Sequence, residues 1–262
     1  MLSSKKVAAF DLDGTLAESK LPPTPGMATL LCRLASKIPI IIISGGSYSQ
    51  FKKQLLPKIV EVPMSDTTHL SNFILMPTNG SQCFNYDKMT KEWFAIYTEN
   101  FPEELKKRVV VVLRKIIQSG RHDIPLEAYG DHIEDRVTQI SFSALGQQAP
   151  LDEKVVWDPD QKKRQKIKAE IDDQIKDAQI LIGGSTTIDI LPSGFNKAVG
   201  LKKYLESSGL QLDDMVFVGD AVFPGGNDYP PLEAGIESIR INSPEETARL
   251  IENWLSLCER IT

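Results

Sequence analysis

Val7-Ala8-Ala9-Phe10-Asp11-Leu12-Asp13-Gly14-Thr15-Leu16 opens the chain with a short apolar run that stops at a carboxylate. A continuous apolar run of this length, ended by polar and glycine residues, reads as a strand buried on both faces. Asp11 and Asp13 follow at i and i+2, so their side chains leave the same side of the chain. At the C-terminal edge of a strand in an α/β sheet they stand where ligands bind. Gly14 permits a tight turn that brings backbone N–H groups toward an anion. In such a pair one carboxylate can attack phosphorus while the other handles the proton of the leaving or attacking oxygen. The plain alternative is a polar loop with a turn glycine. Asp-x-Asp alone is common, but the full Asp-x-Asp-Gly-Thr-Leu after an apolar strand is not.

Working outward, the same pattern recurs. Ile38-Pro39-Ile40-Ile41-Ile42-Ile43 ends at Ser44-Gly45, Met215-Val216-Phe217-Val218 ends at Gly219-Asp220, and Ser238-Ile239-Arg240-Ile241 is a fourth run. Between them, residues 26–36 carry Met27, Leu30, Leu31 and Leu34 at helical spacing, and residues 245–257 carry Ala248, Ile251, Trp254 and Leu255. Alternating strands and helices predict a Rossmann-like parallel sheet with crossover helices. The middle differs. Residues 103–118 place Leu105, Val109, Val112 and Ile116 on one helical face, residues 139–143 alternate as a half-exposed strand, and the charged stretch 161–177 reads as a solvated helix. Ala178–Ile182 and Thr187–Leu191 read as two more strands. Helix–strand–strand twice over predicts an α+β cap, an antiparallel sheet with helices on one face, inserted at 91–192 in a core formed by 1–90 and 193–262.

Three further segments carry polar residues at strand or helix ends. Ser44-Gly45-Gly46-Ser47 combines a hydroxyl with glycine-exposed amides, which suits a phosphoryl oxygen. Ser47 reads equally well as the N-cap of a helix containing Phe51 and Leu55. Lys197 stands beside a helix start, where a lysine taken alone is a solvated residue. Gly219-Asp220-Ala221-Val222-Phe223-Pro224-Gly225-Gly226-Asn227-Asp228 puts acids on a glycine-rich loop that can hold a hard divalent cation through oxygen, with Mg²⁺ the expected ion.

Composition narrows the classes. Of 262 residues, 41% are apolar and 25% charged, with a formal net charge of −5. That acidic balance argues against a nucleic-acid partner. Cys32, Cys83 and Cys258 are too few and scattered for a disulfide framework and have no metal-ligand spacing. The longest apolar run, Ile38 to Ile43, falls far short of the ~20 residues of a membrane span. A cytoplasmic protein without a membrane partner is expected.

In this order the four segments resemble the four motifs of the haloacid dehalogenase superfamily. The last one, with Gly45-Gly46-Ser47 and Gly183-Gly184-Ser185-Thr186-Thr187-Ile188-Asp189, is similar to the eukaryotic-type phosphomannomutases along nearly the whole chain. The resemblance implies Asp11 as nucleophile, Asp13 as general acid/base, and Ser44 and Lys197 as ligands of the transferring phosphoryl group, beside Gly45 and Gly46. It implies Mg²⁺ held by Asp11, the Asp13 backbone carbonyl, Asp220 and Asp228, a phosphorylated sugar as substrate, and a homodimer through the cap. Thr187 and Asp189 match the residues that contact the sugar. Where the family carries a cluster of arginines for the substrate's other phosphate, this chain has Lys20, Arg136, Gln147 and Lys154. Lysine keeps the charge but loses the bidentate fork, and Gln147 loses the charge. Ser44 stands where the mutases usually have glycine and where phosphatases of the superfamily carry a hydroxyl.

Three activities follow as expectations. The thinned arginine cluster favours a hexose-phosphate phosphatase, in which water activated by Asp13 releases the phosphoryl group from Asp11. The overall resemblance favours the alternative, a phosphomannomutase or phosphoglucomutase working through a hexose 1,6-bisphosphate. A catalytically dead sugar-phosphate-binding protein requires the loss of Asp11, Asp13 or Asp220, and all three are present.

Overall fold

The computed structural model describes residues 5–64 and 67–259. In chain order its elements are β1 (Val7–Phe10), α1 (Pro25–Ala35), β2 (Ile40–Ile43), α2 (Tyr48–Gln54), α3 (Leu56–Val60), β3 (Phe73–Met76), β4 (Gln82–Asp87) and β5 (Glu92–Thr98). Then come α4 (Glu103–Gln118), β6 (Ile133–Asp135), β7 (Ile140–Ser143), α5 (Leu151–Trp157), α6 (Lys162–Gln174), β8 (Ala178–Ile182) and β9 (Thr187–Pro192). The chain ends with α7 (Lys197–Ser208), β10 (Met215–Gly219), α8 (Tyr229–Glu233), β11 (Glu237–Arg240) and α9 (Pro244–Glu259). It divides into two compact units, a core from the segments up to Thr98 and from Lys197 onward, and a cap spanning Glu99–Asn196.

The core holds a seven-stranded sheet in the order β11-β10-β1-β2-β3-β4-β5. The strands from β11 to β3 are parallel, and β4 and β5 extend them antiparallel. The central strands are buried on both faces, as their unbroken Val and Ile runs require. Helices α1 and α9 cover one face, with Leu31, Leu34, Ile251 and Trp254 packed on Phe10, Ile42 and Val218. Leu201 and Leu205 of α7 cover the other with Ala9, Ile41 and Phe217. Chain connections run to opposite sides of β1, toward β2 and toward β10. The crevice at the C-terminal ends of these strands is therefore the switch point where such sheets bind ligands.

Strand β5 corrects the expected boundary at 91, because residues 92–98 pair with β4 in the core sheet. The hairpin closes on Asp87, whose Oδ1 accepts from the Met89 N–H at 2.7 Å, and on Lys91 at φ +59°. Strand β5 does carry an apolar run, Trp93-Phe94-Ala95-Ile96-Tyr97, but as an edge strand it leaves most of these residues exposed.

The cap sheet runs β6-β7-β9-β8, antiparallel throughout. Leu105, Val109, Leu113 and Ile116 of α4 and Ile167 and Ile171 of α6 pack on Phe142, Ile188 and Ile190. The charged helix α6 is thus solvated except for its buried Arg164, Ile167 and Ile171. Strand β7 is not half-exposed as its alternation predicts but buried on both faces. Its polar positions are covered by polar partners: Ser141 Oγ donates to Asp189 Oδ1 at 2.9 Å and Ser143 Oγ to the Gly146 carbonyl at 2.8 Å.

Cys32 and Cys83 are buried, and burial pushes both thiols up to about 12. The Cys258 side chain lies outside the described residues. No helix among the described residues is long and apolar enough to cross a membrane.

One close approach sets where α7 begins. The turn Thr78–Gly80 has left-handed backbone at Thr78, Asn79 and Gly80 (φ +50°, +55° and +84°). A Cβ on Gly200 of α7 would lie 2.9 Å from the Gly80 Cα. Helix and turn therefore touch backbone to backbone, and Lys197 starts one turn before that contact. Gly200→Val should lower the unfolding free energy by about 1–3 kcal/mol through overpacking, read by chemical denaturation. An unchanged midpoint would show that the two backbones can part without cost.

Candidate active site

Asp11 follows β1 directly, and its N–H still donates to the Val218 carbonyl at 2.9 Å, so the sheet ladder itself fixes its position. The residue is 4% exposed. Lys197, the first residue of α7, is fully buried rather than solvated. Its Nζ donates to Asp11 Oδ1 and, at 2.6 Å, to Asp228 Oδ1. Asp228 is itself buried, and its Oδ2 accepts from the Ala221 N–H at 3.1 Å. Glycine makes room for the acids: a Cβ on Gly14 (φ +90°) would stand 2.7 Å from Asp220 Oδ2, and one on Gly219 2.5 Å from Asp228 Oδ2.

Asp11, Asp220 and Asp228 each bring an oxygen within 4.8 Å of the other two. Burial, then the neighbouring charges of Asp228 and Asp220, raise the Asp11 carboxyl well above its ordinary range against the pull of Lys197. Burial and Asp228 lift Asp220 to about 6, again partly offset by Lys197. Burial alone would lower Lys197, but Asp11 and Asp228 outweigh it and hold the ammonium above its usual value. Three carboxylates crowd one ammonium, so acid oxygens outnumber the cationic group in a largely buried site. Hard oxygen donors with that excess fit a divalent cation such as Mg²⁺, which binds through one or two carboxylates plus substrate phosphate.

The other core residues stand at the same sheet edge. Ser44 is buried at the end of β2. Its Oγ accepts from the Gly46 N–H at 3.1 Å, which leaves the hydroxyl proton directed elsewhere. Its carbonyl accepts from Asn79 N–H and that of Gly46 from Thr78 N–H, both at 2.8 Å, so the left-handed turn braces the Ser44-Gly45-Gly46 loop. Ser47 caps α2 through Gln50 N–H, as its position predicts. The Asp13 carboxylate is not one of the three that converge. It accepts from the Lys20 backbone N–H at 2.6 Å and from Gln54 Nε2 at 3.0 Å. Lys20 contributes this backbone bond while its side chain lies at the surface. Gln50 and Gln54 escaped sequence reading; their only signal was a polar pair at i and i+4 on the helix leaving the Gly-Gly-Ser loop.

Within the cap, β9 carries Thr187 and Asp189, and the turns on either side of β7 bring in Arg136 and Gln147. Arg136 is buried, and its guanidinium lies 2.7 Å from Glu134 Oε2, 3.3 Å from Gln147 Oε1 and 3.9 Å from Asp189 Oδ1. Thr187 lies two residues before Asp189 on β9 and so shares its face. Lys154 is buried on α5. A second cluster, unmarked in the sequence, holds the turn before β9. Asp158 accepts from the N–H groups of Lys163 and Arg164 at the start of α6, at 2.9 and 3.0 Å. The Arg164 guanidinium donates to Asp158, and to the carbonyls of Gly183, at 2.8 Å, and Gly184.

The sequence profile described as "Eukaryotic phosphomannomutase" matches residues 27–257. A phosphomannomutase of Encephalitozoon cuniculi is 27% identical over 96% of this chain and 94% of its own. One from Spinacia oleracea is 27% identical over 93% of each. A haloacid dehalogenase-like hydrolase from Bacteroides thetaiotaomicron superposes with a TM-score of 0.59 at 17% identity, over 95% of this chain and 99% of that one. The fold is of the haloacid dehalogenase kind.

The acid cluster makes a prediction about stability. In chelator, Asp220, at about 6 in the folded protein against ~4 unfolded, binds more protons when folded. Its contribution therefore falls as pH rises from ~4 through 6, and Asp11, shifted the same way, adds to the decline. Mg²⁺ should raise the unfolding midpoint at pH 7 far more than at pH 4.5, and Asp220→Ala should abolish that rise. A midpoint indifferent to Mg²⁺ at both pH values would refute the cation site.

Proposed function

This chain belongs to the eukaryotic phosphomannomutase family, and we propose that it isomerises a hexose phosphate by passing a phosphoryl group through Asp11. The observation that carries this reading is that the family match runs through core and cap alike, residues 27–257, across the cap face where Arg136, Thr187 and Asp189 lie. In the first half-reaction an Asp11 carboxylate oxygen attacks one phosphorus of a hexose 1,6-bisphosphate. The bond from phosphorus to the sugar oxygen breaks, and Asp13 gives that oxygen a proton. In the second, the free hydroxyl of a hexose monophosphate attacks the aspartyl phosphate, Asp13 takes its proton, and Asp11 is regenerated; the hexose 1,6-bisphosphate so formed turns around and gives its other phosphoryl group to Asp11 by the first half-reaction. Ser44 and Lys197 hold the transferring oxygens, and the buried Lys197 ammonium offsets the charge gathering on them. Bound Mg²⁺ would supply further neutralisation of phosphoryl charge, held by Asp11, Asp220 and the Asp13 carbonyl, with Asp228 in support.

A specific feature favours hydrolysis as the second reading. Gln147 occupies a position where the family resemblance places an arginine, and Ser44 one where the mutases usually have glycine. Both readings share the phosphorylated Asp11 and differ in the acceptor, which is a sugar hydroxyl in one and water in the other.

Product analysis separates them. With mannose 1-phosphate, the mutase reading expects mannose 6-phosphate only when a hexose 1,6-bisphosphate primes the enzyme. Free phosphate released without primer, and no isomer with it, would establish hydrolysis instead. Under either reading Asp11→Asn should cut turnover by at least about three orders of magnitude with the fold intact, because an amide of the same shape is no comparable nucleophile. A purified variant that keeps a tenth of the wild-type rate would remove Asp11 from the chemistry. Arg136→Ala should lower kcat/KM on hexose phosphates by roughly ten- to a hundredfold, the equivalent of one charged hydrogen bond, and by more than Lys154→Ala, since only a guanidinium grips phosphate bidentately. Full efficiency in Arg136→Ala would take the cap cluster out of substrate binding.

A further inference from the structure

Helix α2 leaves the Ser44-Gly45-Gly46 loop with Ser47 as its N-cap, and presents Gln50 and Gln54 on one side, four residues apart. Gln54 is 4% exposed. Burying a primary amide near a helix end is unfavourable unless each of its polar atoms is matched. Here they are. Gln54 Nε2 donates to Asp13 Oδ1 at 3.0 Å and to the Leu21 carbonyl at 2.6 Å, and its Oε1 accepts from Gln50 Nε2 at 3.0 Å. Two acceptors on one side and a donor on the other fix which end of the amide is nitrogen. Gln50 Nε2 also lies 3.5 Å from Asp13 Oδ2, and Gln50 Oε1 lies so close over Gly46 that a Cβ there would stand 2.7 Å away. The Lys20 N–H completes the cradle at 2.6 Å from Asp13 Oδ1. Lys20 itself has φ +62°, so the loop bends back to point this amide at Asp13.

We propose that Gln54, backed by Gln50, is a positioning residue that fixes the side-chain rotamer of Asp13 and ties it to the phosphate-binding loop. The inference rests on the phosphoryl-transfer reading of the site but not on the identity of the sugar. Asp13 is then anchored by neutral donors from α2 and the loop after β1, and is kept apart from the Asp11–Lys197–Asp228 charges.

The test uses leaving-group dependence, which a merely structural role would not change. A phosphate ester of a poor leaving group needs its departing oxygen protonated by Asp13, whereas p-nitrophenyl phosphate does not. Gln54→Met keeps the length and removes both donors. It should lower kcat/KM on phenyl phosphate, which reports formation of the aspartyl phosphate alone, by roughly ten- to a hundredfold, the range for a misplaced catalytic group, while kcat/KM on p-nitrophenyl phosphate changes by less than about threefold. In an Asp13→Asn background, Gln54→Met should have no further effect on phenyl phosphate, since residues that act as one unit are non-additive. Gln50→Leu, which keeps Gln54 and its bond to Asp13, should give a smaller loss of the same kind and keeps the test open should Gln54→Met fail to fold. Equal losses on both esters, or a full loss added on top of Asp13→Asn, would overturn the proposal. The aryl series needs no sugar, so an enzyme that leaves every hexose phosphate untouched would count against the hexose reading alone.

Discussion

A fully buried ammonium between two carboxylates organises the core. Lys197 has no solvent, so its charge is tolerable only because Asp11 and Asp228 are both in contact with it. Removing one partner of such a group leaves an uncompensated buried charge, which costs about 3–5 kcal/mol. The three residues come from the end of β1, the start of α7 and the start of α8. Their contact therefore locks together the sheet, the crossover helix and the glycine-rich loop. The same triangle is what phosphoryl transfer needs: a nucleophile held still, a fixed positive charge beside it, and acid oxygens left over for a cation.

That arrangement demands unusual backbone, and the demand explains where the glycines fall. Gly14 and Gly219 lie under carboxylates that would collide with any side chain there. Gly200 lets α7 lie on the Gly80 turn, which places Lys197 beside Asp11. The left-handed Thr78 is a genuine outlier for a β-branched residue. It holds an N–H on the Gly46 carbonyl, so its strain is offset by bracing the phosphate loop.

Much of this was legible because burial on both faces writes itself into sequence. The runs at Val7–Phe10 and Met215–Val218 became β1 and β10, and the apolar face of residues 103–118 became α4 with the same bounds. Asp11, Asp220 and Asp228 were legible as acids at strand ends or on a glycine-rich loop. What escaped depends on partners that the local pattern does not show. Strand β5 has an apolar run, Trp93-Phe94-Ala95-Ile96-Tyr97, but it is an exposed edge whose place in the sheet is set by its hairpin partner. Ser141 and Ser143 alternate as a half-exposed strand does, but long-range partners at Asp189 and Gly146 cover them. Lys197 looks solvated until residues 186 and 31 positions away are brought to it. Gln54 and Arg164 follow the same rule, since buried polar residues are explained by tertiary partners that the local sequence does not contain.

The cap cluster holds Gln147 where the family resemblance places an arginine, and the difference bears on how Arg136 is held. Two neighbouring guanidinia repel each other unless a phosphate bridges them, so an all-arginine site is held in order partly by its ligand. With Gln147 the situation reverses. Its Oε1 accepts from Arg136 and its Nε2 reaches the Ser141 carbonyl at 3.5 Å. Arg136 is thereby oriented before any ligand arrives, with Glu134 and Asp189 balancing its charge. Pre-orientation lowers the ordering cost of binding, but the acids compete with phosphate for the same fork. The two effects oppose each other in affinity yet agree in their effect on residence time, because a phosphate that displaces a carboxylate is also readily displaced by it. A mutase must keep its bisphosphate while the sugar turns around, whereas a hydrolase gains from quick release. On the reading proposed above, the choice between the two outcomes would turn on how long a cluster of this kind retains a phosphate, and not on the chemistry at Asp11.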